Sequence, residues 1–189
     1  MQVTEERERT ERNEEFAIEV KNLKREYVTR SFFGKSTRVT EALAGVSFDV
    51  KRGELFGLIG PNGAGKTTTI KILTTLLTPT SGSAHILGLD VNKDIYDIRK
   101  RIGIVFGGER GLYNRVTAVE NMKYFSDLYG VDPSVSKKRI PELIKLVGLG
   151  GRENDKVEKY SRGMKQRLHI AKALVNDPEL VFLDEPTIG

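Results

Sequence analysis

The chain has 189 residues, enough for one domain or most of one. Hydrophobic residues make up 38% and charged residues 30%, which allows a real core under a polar surface. No cysteine is present, so disulfides and thiolate metal sites are excluded, and a net charge of +5 fits a mildly basic protein rather than a dedicated nucleic-acid binder.

Residues 1–15, MQVTEERERTERNEE, form a mixed-charge tail, unlike an apolar secretory leader. FAIEVKNL (16–23) places Phe16, Ile18 and Val20 on one side, and VSFDV (46–50) does the same with Val46, Phe48 and Val50. Both predict half-buried strands paired antiparallel. Between them RSFFGKSTRVTEAL is expected to be a polar connection, with Phe32-Phe33 in a loop flap. ELFGLIG (54–60) is a continuous apolar run, expected to be a strand buried on both faces.

GPNGAGKT (60–67) satisfies G-x-x-x-x-G-K-[ST], the phosphate-binding loop. Gly60, Gly63 and Gly65 let the backbone curl so that successive N–H groups point at phosphate oxygens. The helix that follows adds its positive end, Lys66 supplies a point charge to the β- and γ-phosphates, and Thr67 offers a hydroxyl to Mg²⁺. Pro61, Asn62, Ala64 and Thr68 complete the contact stretch.

TPTSG (78–82) is expected to end that helix, SAHILGLDV (83–91) to form one strand, KDIYDIRKRI a short helix and RIGIVF (101–106) a buried strand. Thr117 and Glu120 stand at capping-box spacing, so a helix starts there. A polar link through Pro133 leads to a helix in PELIKLVGL, with Pro141 near its first turn and Lys137, Lys138 and Arg139 as a solvated face. SRGMKQRLHIAKALV places Met164, Leu168, Ala171, Leu174 and Val175 on one helix face, with Ser161 as N-cap. His169 reads as a packing or solvated residue, and His85 as a strand residue with no chemical role. LVFLDE is the final strand, ending on Asp184 and Glu185. Strands alternating with helices predict an α/β domain with a mainly parallel sheet.

With a phosphate loop upstream, Asp184 at a strand end suits Mg²⁺ and Glu185 suits the attacking water. Residues 16–189 resemble the nucleotide-binding subunit of ABC transporters. GPNGAGKTT resembles its Walker A motif, LVFLDEPT its Walker B, and YSRGMKQRL (160–168) stands where the family has LSGGQ. The flavour is similar to small exporters of drugs, antibiotics, lipids or polysaccharides.

The resemblance implies a P-loop NTPase fold: a RecA-like parallel core, an antiparallel β subdomain and a helical subdomain over about 109–160. It implies ATP and Mg²⁺ as cofactors, Tyr27 stacked on adenine, and Ser161, Arg162, Gly163 and Met164 meeting the ATP held by an opposite subunit. The partners it implies are a second cassette and a transmembrane permease, at the cytoplasmic face of a membrane, with no specific nucleic acid. Arg162 and Met164 depart from the signature, and Gly108 takes the place of the usual Gln, so Glu109 is a candidate Mg²⁺ ligand. It also implies a C-terminal part beyond Gly189, carrying a further central strand, without which the piece would be unstable and a poor ATPase. A soluble ABC ATPase acting on nucleic acid or ribosomes, and a nucleotide binder that does not hydrolyse, stay open as alternatives.

Overall fold

Phe16, Ile18 and Val20 begin the first strand of a computed structural model that describes residues 15–30, 37–107 and 111–184. The chain divides into two units, one up to Arg99 and one from Lys100.

In the first unit, β1 (Phe16–Arg30) pairs antiparallel with β2 (Thr37–Lys51), in the register Ile18↔Val50, Val20↔Phe48, Tyr27↔Thr40. The strands run further than their alternating apolar stretches. Arg30 and residues 37–43, expected in a polar connection, belong to the ladder, together with 24–29 and 44–45. Tyr27, Val28 and Val39 are exposed there, so the backbone bonds of the ribbon hold it and a polar sequence is no obstacle. Phe32 and Phe33 lie outside the described residues.

β3 (Ser81–Ile86) pairs with β1, and β4 (Leu89–Asp90) with β3, both antiparallel, giving the order β2-β1-β3-β4. The single strand expected over 83–91 is a hairpin. Leu87 and Gly88 both take positive φ, 52° and 79°, which folds the ribbon in two residues. Helix α1 (Lys66–Leu73) buries Ile70, Ile72 and Leu73; it ends before TPTSG. Val20, Leu23, Ala84, Ile86 and Ile98 are buried with them, the last on the short helix α2 (Ile95–Arg101).

Residues 54–60 do not form the strand expected of them. Leu55 and Ile59 are 99% and 98% exposed, and Phe56 stacks on Phe48 with ring centroids 5.2 Å apart. An apolar run becomes a buried strand only when neighbouring strands take up its N–H and C=O groups. No described strand pairs with this one.

In the second unit, β5 (Ile102–Phe106) and β6 (Leu180–Asp184) form a parallel pair, Ile102↔Leu180 through Phe106↔Asp184. β6 is buried on one face only: Phe182 and Asp184 are inside, Val181 and Leu183 outside. Helix α3 (Ala118–Leu128) opens with the capping box that the spacing of Thr117 and Glu120 predicts. The Thr117 backbone N–H, then its hydroxyl, donate to the Glu120 carboxylate and hold it below the usual carboxylate range.

Helix α4 spans Pro133–Leu146, a full turn and more longer than the predicted helix. Asp132 caps it, Pro133 occupies the first turn, and Pro141 lies inside it. An interior proline costs roughly 3 kcal/mol. Burial of Ile140, Leu143 and Ile144, each worth about 1.5–3 kcal/mol, outweighs that. Helix α5 (Arg162–Ala173) completes a core of Met122, Ile144, Leu149, Leu168, Ala171 and Val175, with Met164 and Leu174 packed against it, as the helical spacing predicts. Arg139 is not a solvated face residue. It donates to the Leu174 carbonyl, where α5 ends, and to Asp177.

Candidate functional site

The loop before α1 is built from backbone that only glycine adopts without strain. Gly63 and Gly65 have φ of 83° and 86°. Ala64 N–H donates to the Pro61 carbonyl, closing a turn. Gly65 is the N-cap of α1 and, having no side chain, offers no acceptor to the first-turn N–H groups. No acidic residue stands in that turn either. The positive end of the helix is therefore left for an anion. Lys66 folds over the loop, its Nζ donating to the Gly60 carbonyl at 2.8 Å and the Pro61 carbonyl at 2.9 Å. Pro61, Asn62, Ala64 and Thr67 are exposed and Thr68 is half-buried.

An irregularity in the neighbouring ribbon positions this loop. Leu43 pairs with Arg25 and Glu41 pairs with Glu26, so Ala42 is an extra residue on β2. The bulge sends its carbonyl toward Gly65, where an added Cβ would meet that oxygen at 2.8 Å and Leu43 Cδ1 at 2.9 Å. Tyr27 pairs with Thr40, two residues along β2 from Ala42. The ribbon thus carries Tyr27 to the neighbourhood of the loop. Tyr27 is 41% exposed, and the Arg25 guanidinium carbon lies 4.7 Å from the ring centroid. Arg25 escaped the sequence reading; its one signal was spacing, since residues two apart on a strand share a face.

In the second unit Asp184 closes β6, opposite Phe106, and is buried. Ser161 caps α5, its Oγ accepting from Met164 N–H at 3.3 Å. Ser161, Arg162 and Gly163 are exposed, whereas Met164 turns toward the helical core. Glu185, Gly108 and Glu109 lie outside the described residues.

Two neighbours of the signature stretch were not singled out as a pair. Lys172 donates to the Gly111 carbonyl at 3.3 Å and sits 4.6 Å from the Phe125 ring centroid; burial pushes its ammonium below the usual lysine range. His169 is buried, and its Nε2 has no hydrogen-bond partner among the described residues. Burial first, and the Lys172 charge second, push its imidazole down to about 4. It is a packing residue, one of the two readings, packing or solvated, that the sequence allows.

Among the described residues no three or more His, Asp or Glu side chains gather into a metal cage. Thr67 and Asp184 are hard oxygen donors, which suits Mg²⁺, an ion held by few protein ligands together with phosphate and water.

The ABC transporter family profile matches residues 43–188. The chain is 42% identical to the ABC transporter ATP-binding protein NatA of Bacillus subtilis, over 83% of this chain and 64% of that protein. It is 41% identical to the linearmycin resistance ATP-binding protein LnrL of the same organism, over 91% of this chain and 52% of the relative. It is 40% identical to the doxorubicin resistance ATP-binding protein DrrA of Mycobacterium tuberculosis, over 94% and 51%. The chain therefore spans about half to two-thirds of the length of these curated relatives. A dimeric ATP-binding cassette in a post-hydrolysis state, bound to ADP and phosphate, has a TM-score of 0.77 at 29% identity, over 90% of this chain and 75% of that one. The Clostridium perfringens CbiO1 structure, part of an ABC transporter complex, has a TM-score of 0.78 at 28% identity, over 93% and 68%. With a phosphate-type loop on a helix N-terminus and a buried aspartate ending a parallel strand, the chain belongs to the ABC transporter family as one of its ATP-binding cassettes.

Proposed function

We propose that this chain binds and hydrolyses Mg²⁺-ATP to power transport, in the direction of export, by a separate transmembrane permease. The observation that carries this reading is the loop at Gly60–Thr67: two left-handed glycines, an uncapped helix start and Lys66 poised over the turn. Gly60, Asn62, Gly63, Ala64 and Gly65 cradle the phosphates through backbone N–H groups, and Pro61, which has none, shapes the turn. Lys66 exchanges its two carbonyl partners for phosphate oxygens, and Thr68 adds a hydroxyl beside them. Tyr27 stacks on the adenine.

Thr67 and Asp184 would hold Mg²⁺, with Glu109 as a further oxygen ligand in place of the glutamine that Gly108 replaces. Bound Mg²⁺ supplies charge neutralisation on the phosphates. Glu185 orients water and takes its proton. Ser161, Arg162, Gly163 and Met164 form the stretch that faces the ATP of a second cassette, with the α5 N-terminus as its anion-friendly end. Residues of about 109–160 form the helical subdomain. Among the described residues no helix is long and apolar enough to cross a membrane. With a permease as partner, the subunit acts at the cytoplasmic face of the membrane as a peripheral component.

The export direction is supported by the names of two relatives, both resistance proteins. The test uses the full-length protein co-expressed with candidate permeases. Mg²⁺-ATP binding and steady-state hydrolysis are measured for the native chain and for Lys66→Ala and Glu185→Gln. The reading expects Lys66→Ala to lose nucleotide affinity, and Glu185→Gln to bind ATP but turn over at least ~10²-fold more slowly. Native turnover in Glu185→Gln, or co-purification with RNA rather than a membrane protein, would overturn it.

A further inference from the structure

Tyr27 does not present two free faces. Arg25, two residues earlier on the same strand, lays its guanidinium carbon 4.7 Å from the ring centroid. Arg25 is itself anchored: Nη1 donates to the Thr78 carbonyl at 2.8 Å. Thr78 belongs to the segment leaving α1, the helix that begins at the phosphate loop. That segment is stitched to β1 on both sides of Arg25, by Thr80 N–H donating to the Lys24 carbonyl at 2.8 Å and Glu26 N–H donating to Thr80 Oγ1 at 3.0 Å. Arg25 Nε is buried without a hydrogen-bond partner among the described residues. A guanidinium that leaves one donor unpaired in order to lie against a ring is held there by the ring and by Thr78. It has not simply settled where its donors are best satisfied.

We infer that Arg25 is a positioning residue for nucleotide: it closes one face of Tyr27, fixes the ring, and leaves a single face on which the base stacks. The inference rests on the reading of Tyr27 as the adenine platform. Stacking on a lone aromatic ring is tolerant, because every base has a π-face and the ring can be approached from either side. A cation over one face removes that freedom. It also draws electron density from the ring, so an electron-rich purine on the opposite face is favoured. The Thr78 anchor ties the ring to the segment that follows α1, the helix that begins at the phosphate loop.

The experiment uses the full-length protein and two probes, ATP and inorganic tripolyphosphate, which has phosphates and no base. Dissociation constants are measured by calorimetry for the native chain, Arg25→Ala, Arg25→Lys, Tyr27→Ala and Arg25→Ala with Tyr27→Ala. A single cation–π contact at a half-exposed site corresponds to about a two- to five-fold change in affinity. The expected result is that Arg25→Ala weakens ATP by about that factor and leaves tripolyphosphate unchanged. Arg25→Lys, which keeps a cation over the ring, recovers part of the loss. The double variant binds ATP no more weakly than Tyr27→Ala alone. Three results would overturn the inference: Arg25→Ala without effect on ATP while Tyr27→Ala weakens it, an equal loss for tripolyphosphate, or an undiminished Arg25 effect in the Tyr27→Ala background. If Tyr27→Ala itself leaves ATP binding intact, the adenine platform is elsewhere and the role of Arg25 falls with it.

Discussion

The carbonyl oxygen of Ala42 fills the space that a methyl group on Gly65 would need, 2.8 Å from where that carbon would stand. One bulged residue on β2 thereby sets how closely the phosphate loop lies against the ribbon that carries Tyr27. The contact is backbone against backbone, so neither side can yield by rotating a side chain.

Gly65→Ala is expected to be the most damaging single methyl in the loop. It adds that collision to a left-handed φ of 86°. The backbone term alone is about 1–2 kcal/mol, and the collision adds to it or displaces the loop. Gly63 has nearly the same φ, 83°, but open space around its missing side chain. Gly63→Ala should therefore cost the backbone term only. Urea midpoints and ATP dissociation constants for the two variants, side by side, check this. Equal losses would mean that the Ala42 contact does not constrain the loop.

The loop itself was legible because its determinants are local: glycines at fixed spacing, a lysine and a threonine. The same holds for the Thr117–Glu120 box and the Ser161 cap, where one side chain reaches a backbone group three residues away. What sequence could not supply is whatever depends on a distant neighbour. Residues 54–60 have the composition of a buried strand, yet strand formation needs a ladder partner that apolarity does not specify. The Ala42 bulge arises from how two strands keep register across several shifts. Arg139 looked solvated within KKR because its partners, Leu174 and Asp177, lie more than thirty residues on. Pro141 reads as a first-turn residue from its local sequence, but buried Ile140 lies before it and Leu143 and Ile144 after it on the same helix.

His169 should make stability depend on pH in a defined window. The unfolded imidazole titrates near 6.5 and the folded one near 4. As pH falls below 6.5 the unfolded chain takes up a proton that the folded chain refuses, so stability is present above that value and is lost on the way down to about 4. Between about pH 7 and 5 the loss is of order 1–2 kcal/mol. Glu120 and Asp132, whose carboxyls are held low by hydrogen bonds, add their own loss of stability at the acid end of this window, as pH falls to and below the ordinary carboxylate values. Chemical denaturation at both pH values, with His169→Gln beside the native chain, is the measurement. The variant should lose most of this pH dependence; an unchanged slope would mean that His169 does not carry it.

Arg139 makes two kinds of contact, and their magnitudes differ. Its pair with Asp177 is open to solvent, the Asp177 side chain being 82% exposed, so it is worth less than about 1 kcal/mol. Its two donors to the Leu174 carbonyl, at 3.2 and 3.1 Å, satisfy the end of α5 from a partly buried position. Arg139→Ala should lower stability by about 1–2 kcal/mol, and Asp177→Asn by no more than about 0.5 kcal/mol. Asparagine tolerates the left-handed φ of 55° at that position, so the comparison isolates the charge. A larger loss in Asp177→Asn than in Arg139→Ala would reverse the assignment.

Ser161 offers a way to separate a cap from a ligand contact. Its bond from Met164 N–H is long, 3.3 Å, and exposed. Ser161→Ala should therefore lower stability by only about 0.5–1 kcal/mol. If its hydroxyl also meets the γ-phosphate held by a second cassette, turnover falls by far more, of order 10²-fold. Ser161→Asp sharpens the distinction. Aspartate caps a helix as well as serine does and complements the dipole, so the melting temperature should hold or rise. The same carboxylate would repel a triphosphate, and on the proposed function ATP turnover should collapse. An aspartate variant that is both stable and active would remove Ser161 from the nucleotide and leave it as a helix cap alone.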